Sequence, residues 1–354
     1  MKTIVVGAGI IGASIAWHLT RAGGQVVVID GGLPAATSAS FGWINASFYA
    51  DTAHHRLRAA SLLSYQRLMA EVPDLPIDLC GAWWWEAQGQ ALHRMKSDLQ
   101  GHDYAVEYLS KAAAEAAQPD LLGLPDDLLV FPAEAAADAA AVAQRLLRAS
   151  GAQVLRGVKV SSLLGDAEVS GVATAIGPVE ADRVVIAAGS GAPDILQTAG
   201  VRLPMLTRPG VMVTTKPISA RIKPILVTPH GEVRQLPDGR LIASAVANHQ
   251  GDDASEVVET PDAIAARVMG WLSPMIRGGV SDWDEVTLAY RPVPQDGLPV
   301  IGATGPKGLH VAVMHSGVTL AAIVGEVTAA EVLGQAINAQ TDLVAPYRPD
   351  RFQG

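Results

Sequence analysis

The sequence predicts an α/β protein of two interwoven domains: a Rossmann-like dinucleotide-binding domain assembled from separated stretches of chain, and an α+β domain built on an antiparallel sheet. Three observations predict it. A complete β-α-β unit fills the first thirty residues, hairpin character dominates between Pro204 and Asp284, and a parallel-sheet pattern returns after Gly308. At 354 residues, 49% hydrophobic and 17% charged, the chain is long enough for two packed units of ordinary composition.

Taken in order, Ile4 to Val6 is a continuous apolar run ending at Gly7, as expected of a strand buried on both faces. Ser14 to Ala22 carries apolar residues at helical spacing and stops at Gly23-Gly24; Gln25 to Asp30 is a second buried strand, with a crossover short enough to make the two strands neighbours. Leu33 to Ala50 has no period and reads as an extended loop, His54 to Val72 as an amphipathic helix. Trp83-Trp84-Trp85 falls in a strand, Lys111 to Ala117 in an Ala-rich helix, and Ala133 to Ser150 in another. Short strands follow, ending in Arg183 to Ala188 and the turn Gly189-Ser190-Gly191. Glu232 to Leu236 and Arg240 to Ala247 flank the turn Pro237-Asp238-Gly239 as a hairpin. Leu309 to Val313 is a buried strand, and a Ser-Gly turn leads to a helix from about Thr319 to Leu333. No internal repeat is visible.

The formal net charge of -9, with no basic run of five or more, argues against nucleic acid as a partner. The single cysteine, Cys80, excludes an intramolecular disulfide, a thiolate zinc cluster and a self-contained iron-sulfur cluster, and it reads as a packing residue. No metal site is expected. The N-terminus shows no signal peptide and the chain no membrane span, so a cytoplasmic address is expected.

Gly7-Ala8-Gly9-Ile10-Ile11-Gly12 is a Gly-x-Gly-x-x-Gly run between strand and helix, with Asp30 closing the next strand. Gly7 makes the tight turn, Gly9 leaves room for a pyrophosphate at the positive helix end, and Gly12 lets helix and sheet approach closely. A carboxylate at Asp30 suits ribose hydroxyls and disfavours a 2'-phosphate. That points to FAD or NAD and does not choose between them.

Tyr290-Arg291-Pro292 and the run to Gly302, followed by Met314-His315-Ser316-Gly317-Val318-Thr319-Leu320, together with the N-terminal unit, resemble the D-amino-acid oxidase, glycine oxidase and sarcosine oxidase superfamily of flavoenzymes. Ala181 to Gly189 and Gly151 to Val160 resemble two further strands of that family's cofactor domain. The resemblance implies FAD and oxidation of a C-N bond, with hydride passing to flavin N5 and the imine hydrolysing afterwards. It implies an FAD-binding domain of residues 1–78, 134–206 and 288–354 and a substrate domain of 79–133 and 207–287. The cofactor contacts it implies are Gly7, Gly9, Ile10, Ile11, Gly12, Asp30 and Gly31, then Ser38, Ser40 and Gly42 of the loop. Val158, Ala188, Gly189 and Gly302 follow, with Ser316, Gly317, Val318, Thr319 and Leu320 at a helix start whose N-H groups and dipole suit a reduced flavin.

The resemblance makes Arg291 the candidate for binding a substrate carboxylate, which suits the guanidinium fork; the alternative is an arginine tying a strand to a loop. His315 either contacts flavin or substrate amine or hydrogen-bonds to backbone. Tyr290 either lines the site or is an aromatic of a half-buried strand. His54 and His55 read as helix-opening residues, the alternative implied by the resemblance being polar residues over the flavin; the tryptophan triplet, its rings alternating between faces, reads as core, with at most part of it as a substrate wall. Ala289 stands where sarcosine oxidases carry the cysteine that attaches flavin, so the flavin is expected to be non-covalent. Arg240 to Ala247 holds no lysine of the kind that assists oxygen in that branch, so the electron acceptor is left open. The expected partner is a small amine or amino-acid substrate. A homo-oligomer, or a role as the flavin-bearing subunit of a heteromeric dehydrogenase whose other chain supplies any iron-sulfur cluster, is the alternative organisation.

Overall fold

The structure, a computed structural model, describes residues 1–32, 35–246 and 254–353. Leu33 and Ala247, which end two of the stretches read from the sequence, lie outside the described residues.

The Lys2–Val6 strand occupies an interior position in a six-stranded sheet, in the order Val300–Ala303, Leu309–Val313, Arg183–Ile186, Lys2–Val6, Gln25–Asp30, Gln153–Arg156. All neighbours are parallel except the edge strand Val300–Ala303, which folds back on Leu309–Val313. The middle residues of the interior strands are apolar because both faces of the sheet are covered there. Val5, Val28 and Val185 pack against the helices Ile10–Arg21, Ala139–Ser150 and Gly317–Val332. Their neighbours Ile4, Val27 and Val184 pack against Val160, Leu163 and Val172 of a three-stranded sheet on the other side.

The second large sheet has eight strands, in the order Trp283–Tyr290, Pro209–Thr215, Leu241–Ser244, Gly231–Gln235, Ile225–Thr228, Ala82–Trp84, Asp127–Phe131, Glu107–Ser110. It is mixed rather than wholly antiparallel, because Ala82–Trp84 joins Ile225–Thr228 in parallel. Trp83 and Trp85 enter one apolar cluster and Trp84 the other, as strand alternation requires.

Three elements differ from expectation. The first helix begins at Ile10 rather than Ser14, since Gly9 serves as its N-cap and Gly12 lies inside its first turn. The Ala-rich stretch from Ala133 splits into the strand Ala135–Ala137 and the helix Ala139–Ser150. Helix propensity yields there to pairing with Trp43–Ile44 and Ile77–Asp78, and Asp138 restarts the chain as a helix by accepting a hydrogen bond from Ala141 N at 2.9 Å. Within the hairpin region lies a helix, Pro261–Leu272, with Thr260 as its cap and a proline in its first turn.

Two connections between the large sheets, near residues 205–209 and 290–294, run side by side. The pairs Met205 with Pro294, Leu206 with Val293, and Pro209 with Tyr290 share one antiparallel register. Arg291 N donates to Arg208 O at 2.8 Å between them, so one ribbon continues from the edge of the second sheet toward the first. Among the described residues no helix is long and apolar enough to cross a membrane.

The glycine run is sterically committed. Gly7, at φ 113°, has the Ala187 carbonyl where a side chain would sit, and a Cβ on Gly12 would collide with the Gly7 carbonyl oxygen. Since the obstacle is backbone, Gly12→Ala is expected to cost about 1–3 kcal/mol of stability, measurable by urea unfolding. An unchanged midpoint would show that helix and turn separate freely.

Candidate active site

The ribbon builds one wall of the site by its period of two. Leu206, Arg208, Gly210 and Met212 on one strand, and Ala289, Arg291, Val293 and Gln295 on the other, all line two adjoining cavities. The larger cavity measures about 420 Å³ and the smaller about 140 Å³. Arg58, Arg291, His315 and Ser316 border both. Gly210 has no side chain where the Arg291 stem crosses it; an added Cβ would stand 3.4 Å from Arg291 Cγ. Tyr290 alternates to the opposite face, is 51% exposed and lines neither cavity.

The opposite wall is made of helix starts. The first helix and the closing helix Gly317–Val332 meet at their N-terminal ends, where Gly317 faces the Ile11 side chain. The Gly317 N-H donates to His315 O at 2.7 Å. The first backbone bond of the closing helix runs from Leu320 N to Ser316 O, so Val318 and Thr319 N-H have no acceptor within the helix. Thr37 reaches the other helix start, where its Oγ1 accepts from Ile10 N at 3.1 Å and adjoins Gly9. Asp30, at the carboxyl end of its strand, accepts from Gly32 N at 3.0 Å and has Arg156 Nη1 at 3.4 Å. Val158 N donates to Asp30 O at 3.0 Å, which sets Val158 beside that carboxylate.

Between these walls lies a buried polar cluster. The helix Thr52–Glu71 presents His54, Arg58, Ser61 and Tyr65 from its inner side. Ser61 Oγ donates to Thr319 O at 2.6 Å and Tyr65 OH to Val318 O at 2.5 Å, which fix this helix to the start of the closing helix. Arg58 is 2% exposed; it donates to Ser316 Oγ at 2.7 Å and to Asn45 Oδ1, and its Nε has no hydrogen-bond partner among the described residues. Burial lowers its pKa to about 10, partly opposed by the charge of Glu134, so it stays a cation at neutral pH. Glu134 is fully buried and accepts from Trp43 Nε1 at 2.8 Å, Tyr104 OH at 2.9 Å and Ser47 N at 3.2 Å. Burial nevertheless pushes its pKa up to about 7. His54 lines the larger cavity; burial lowers its pKa to about 4, so its ring is neutral, with Nδ1 accepting from Ala50 N at 3.1 Å.

The profile of the family described as "DAO: FAD dependent oxidoreductase" matches residues 2–331. This chain is an FAD-dependent oxidoreductase of the DAO family. A glycine oxidase of Bacillus licheniformis is 27% identical over 380 residues, which cover 99% of this chain and 97% of that one. A D-amino acid dehydrogenase of Paramagnetospirillum magneticum is 25% identical over 413 residues, covering 95% and 96%. The crystal structure of an L-proline dehydrogenase from P. horikoshii superposes with a TM-score of 0.85 at 21% identity, covering 99% and 97%. The cofactor of this DAO-family chain is FAD.

The side chains fit that cofactor. The start of the closing helix and the unsatisfied Arg58 Nε in the wall of the smaller cavity form a setting for an electron-rich ring edge, whereas at Gly9, which borders neither cavity, Thr37 Oγ1 fills the space beside the first helix start. Ser40, Gly42, Ser316, Gly317, Val318 and Thr319 line the smaller cavity. Other expected contacts are not brought there. Gly302 faces the Arg348 guanidinium, which binds Glu331 at 2.7 Å. Leu320 is buried in the core, and Ser38 Oγ turns back to Ala35 O at 2.8 Å. Gly31 is exposed, and Ala188 and Gly189 border neither cavity, with Gly189 facing Pro292. Sequence reasoning missed Arg58, Asn45, Thr37 and Arg208. The spacing of His54 and Arg58 by four residues was a signal for one helix face; Arg208 gives none without the register.

Glu134 yields a pH prediction. Its folded pKa lies above the ordinary carboxyl value, so the folded state holds a proton that the unfolded state releases, and the group's contribution to stability falls as pH rises from about 4.5 to about 7. Relative to Glu134→Gln, the native protein is expected to lose up to about 3 kcal/mol across that window in urea unfolding. A difference independent of pH would mean that Glu134 is ionised throughout.

Proposed function

We propose that this DAO-family enzyme oxidises the C-N bond of an amino acid or N-substituted amino acid, holding the substrate carboxylate on Arg291 and its FAD without a covalent bond. The observation that carries the reading is the position of Arg291 at the junction of the two cavities, beside His315 and Ser316. The names of the relatives support the class: the glycine oxidase, the D-amino acid dehydrogenase and the L-proline dehydrogenase are all named for amino acids.

In this reading residues 1–78, 134–206 and 288–354 serve the cofactor, while 79–133 and 207–287 cover the substrate. When bound, FAD would supply the two-electron acceptor for the hydride that leaves the substrate carbon. The amine nitrogen loses a proton, and the resulting imine takes up water to give the oxo acid and the free amine. Arg58, Arg208 and Arg291 border the larger cavity, and their field disfavours an ammonium in favour of the neutral amine, the form able to give up the hydride. His54, held neutral, adds no further charge. Arg58 and the start of the closing helix would stabilise negative charge on the cofactor's ring edge. Cys80 is half-buried with its thiol pushed up by burial, and Ala289 borders the smaller cavity, so neither supports a thioether to flavin. The electrons pass on to oxygen or to another acceptor, a choice that oxygen uptake against dye reduction would decide.

Anaerobic mixing of the yellow holoenzyme with a panel of amino acids and N-alkyl amino acids is expected to bleach the flavin bands for at least one compound. A spectrum unchanged by the whole panel would overturn the reading. Arg58→Met is expected to weaken sulfite binding to the oxidised holoenzyme about tenfold or more, by removing the buried cation. Equal sulfite affinity in variant and native protein would place Arg58 away from the ring.

A further inference from the structure

The register of the ribbon does more than present Arg291. With Leu206 opposite Val293 and Pro209 opposite Tyr290, Arg208 stands directly opposite Arg291. Their backbones are joined by the 2.8 Å bond from Arg291 N to Arg208 O. Directly opposed residues of an antiparallel pair share a face, with Cβ atoms about 4.5–5.5 Å apart. Both side chains border the larger cavity, and Arg58 borders it from the other side. Asp296 is the one acidic residue among the described residues lining it, and its carboxylate already holds Arg351 Nε at 2.7 Å and caps Leu298 N at 3.0 Å.

Like charges directly opposite each other weaken a strand pair, and Arg208 also donates from Nη1 to Thr207 O at 3.2 Å. Two planar forks of donors on one face are, however, a matched receptor for two carboxylates. We infer that Arg208 is a second carboxylate-binding residue and that the preferred substrate is an amino acid carrying two carboxylates, one held by Arg291 and the other by Arg208. This rests on the amino-acid oxidation reading above. Each guanidinium has interactions within the protein; the inference asks that both reach the cavity, not that either be idle. The second carboxylate can sit on the side chain, as in aspartate or glutamate, or on the nitrogen substituent, as in N-(carboxymethyl)glycine.

The test compares these dicarboxylates with their monocarboxylate counterparts alanine, norvaline and sarcosine on the native holoenzyme and on Arg208→Met, following anaerobic flavin bleaching and steady-state turnover. For the native enzyme a dicarboxylate is expected to show the higher kcat/KM, and comparing aspartate and glutamate with N-(carboxymethyl)glycine locates the second carboxylate. In Arg208→Met the KM for that dicarboxylate should rise about tenfold to a hundredfold, at least ten times the change for the matched monocarboxylate, with kcat much less affected. Arg208→Lys, which keeps the charge and a donor, should recover part of the loss and guards against a misfolded methionine variant. Bleaching by monocarboxylates with no dicarboxylate preference, or an equal loss for both classes in Arg208→Met, would overturn this inference and leave C-N oxidation standing. Bleaching by no compound would overturn both.

Discussion

An antiparallel pairing fixes which face every second side chain takes, and in this protein one such register, running from Met205 opposite Pro294 to Thr214 opposite Glu285, organises the site. A slip of one residue in the strand that carries Tyr290 would take Ala289, Arg291 and Val293 out of the cavities and bring Tyr290 in. The ribbon spans the gap between the two large sheets, so the wall of the site and the link between the sheets are one piece of backbone. The functional geometry is therefore as secure as the pairing itself, with no mobile loop needed to carry its arginines.

The facing wall is secured differently, by burying polar groups and satisfying most of them. The helix Thr52–Glu71 gives its hydroxyls to carbonyls at the start of the closing helix, and Glu134 gathers Trp43, Ser47 and Tyr104 around the strand that leads into it. Arg234, reaching from the second sheet, donates to Phe41 O at 2.5 Å and Ala137 O at 3.2 Å, which pins the same loop from outside. Such a network is costly if any member is left unmet. Arg58 Nε, a donor with no partner among the described residues, lies in the wall of the smaller cavity, where an anionic or electron-rich ligand edge would complete it.

Much of this was legible in the sequence. The first strand, the glycine run, the hairpin around Asp238 and the closing helix all announce themselves through local signals: apolar runs, turn residues and helical spacing. The parallel strand pair at Ala82–Trp84 and the strand at Ala135–Ala137 do not, because each is decided by a partner far along the chain. Family resemblance pointed to Arg291 and to Ser316–Gly317, while Tyr290 was included by adjacency and lost by alternation. Gly302 is a glycine for a reason unrelated to the cavities, namely the arginine of Arg348 packed over it. Arg58 and Arg208 escaped notice because a charged residue inside an amphipathic helix or beside a short strand ordinarily reads as surface, and only the tertiary fold turns it inward.

The bare backbone at Gly210 lets the stem of Arg291 cross the opposite strand closely. The Arg291 stem rests on it: a methyl group there would come into contact with Cγ at 3.4 Å, and a larger side chain would occupy the space that the stem crosses. Position 210 thus sets, from the backbone alone, how closely the stem of Arg291 can lie against the opposite strand.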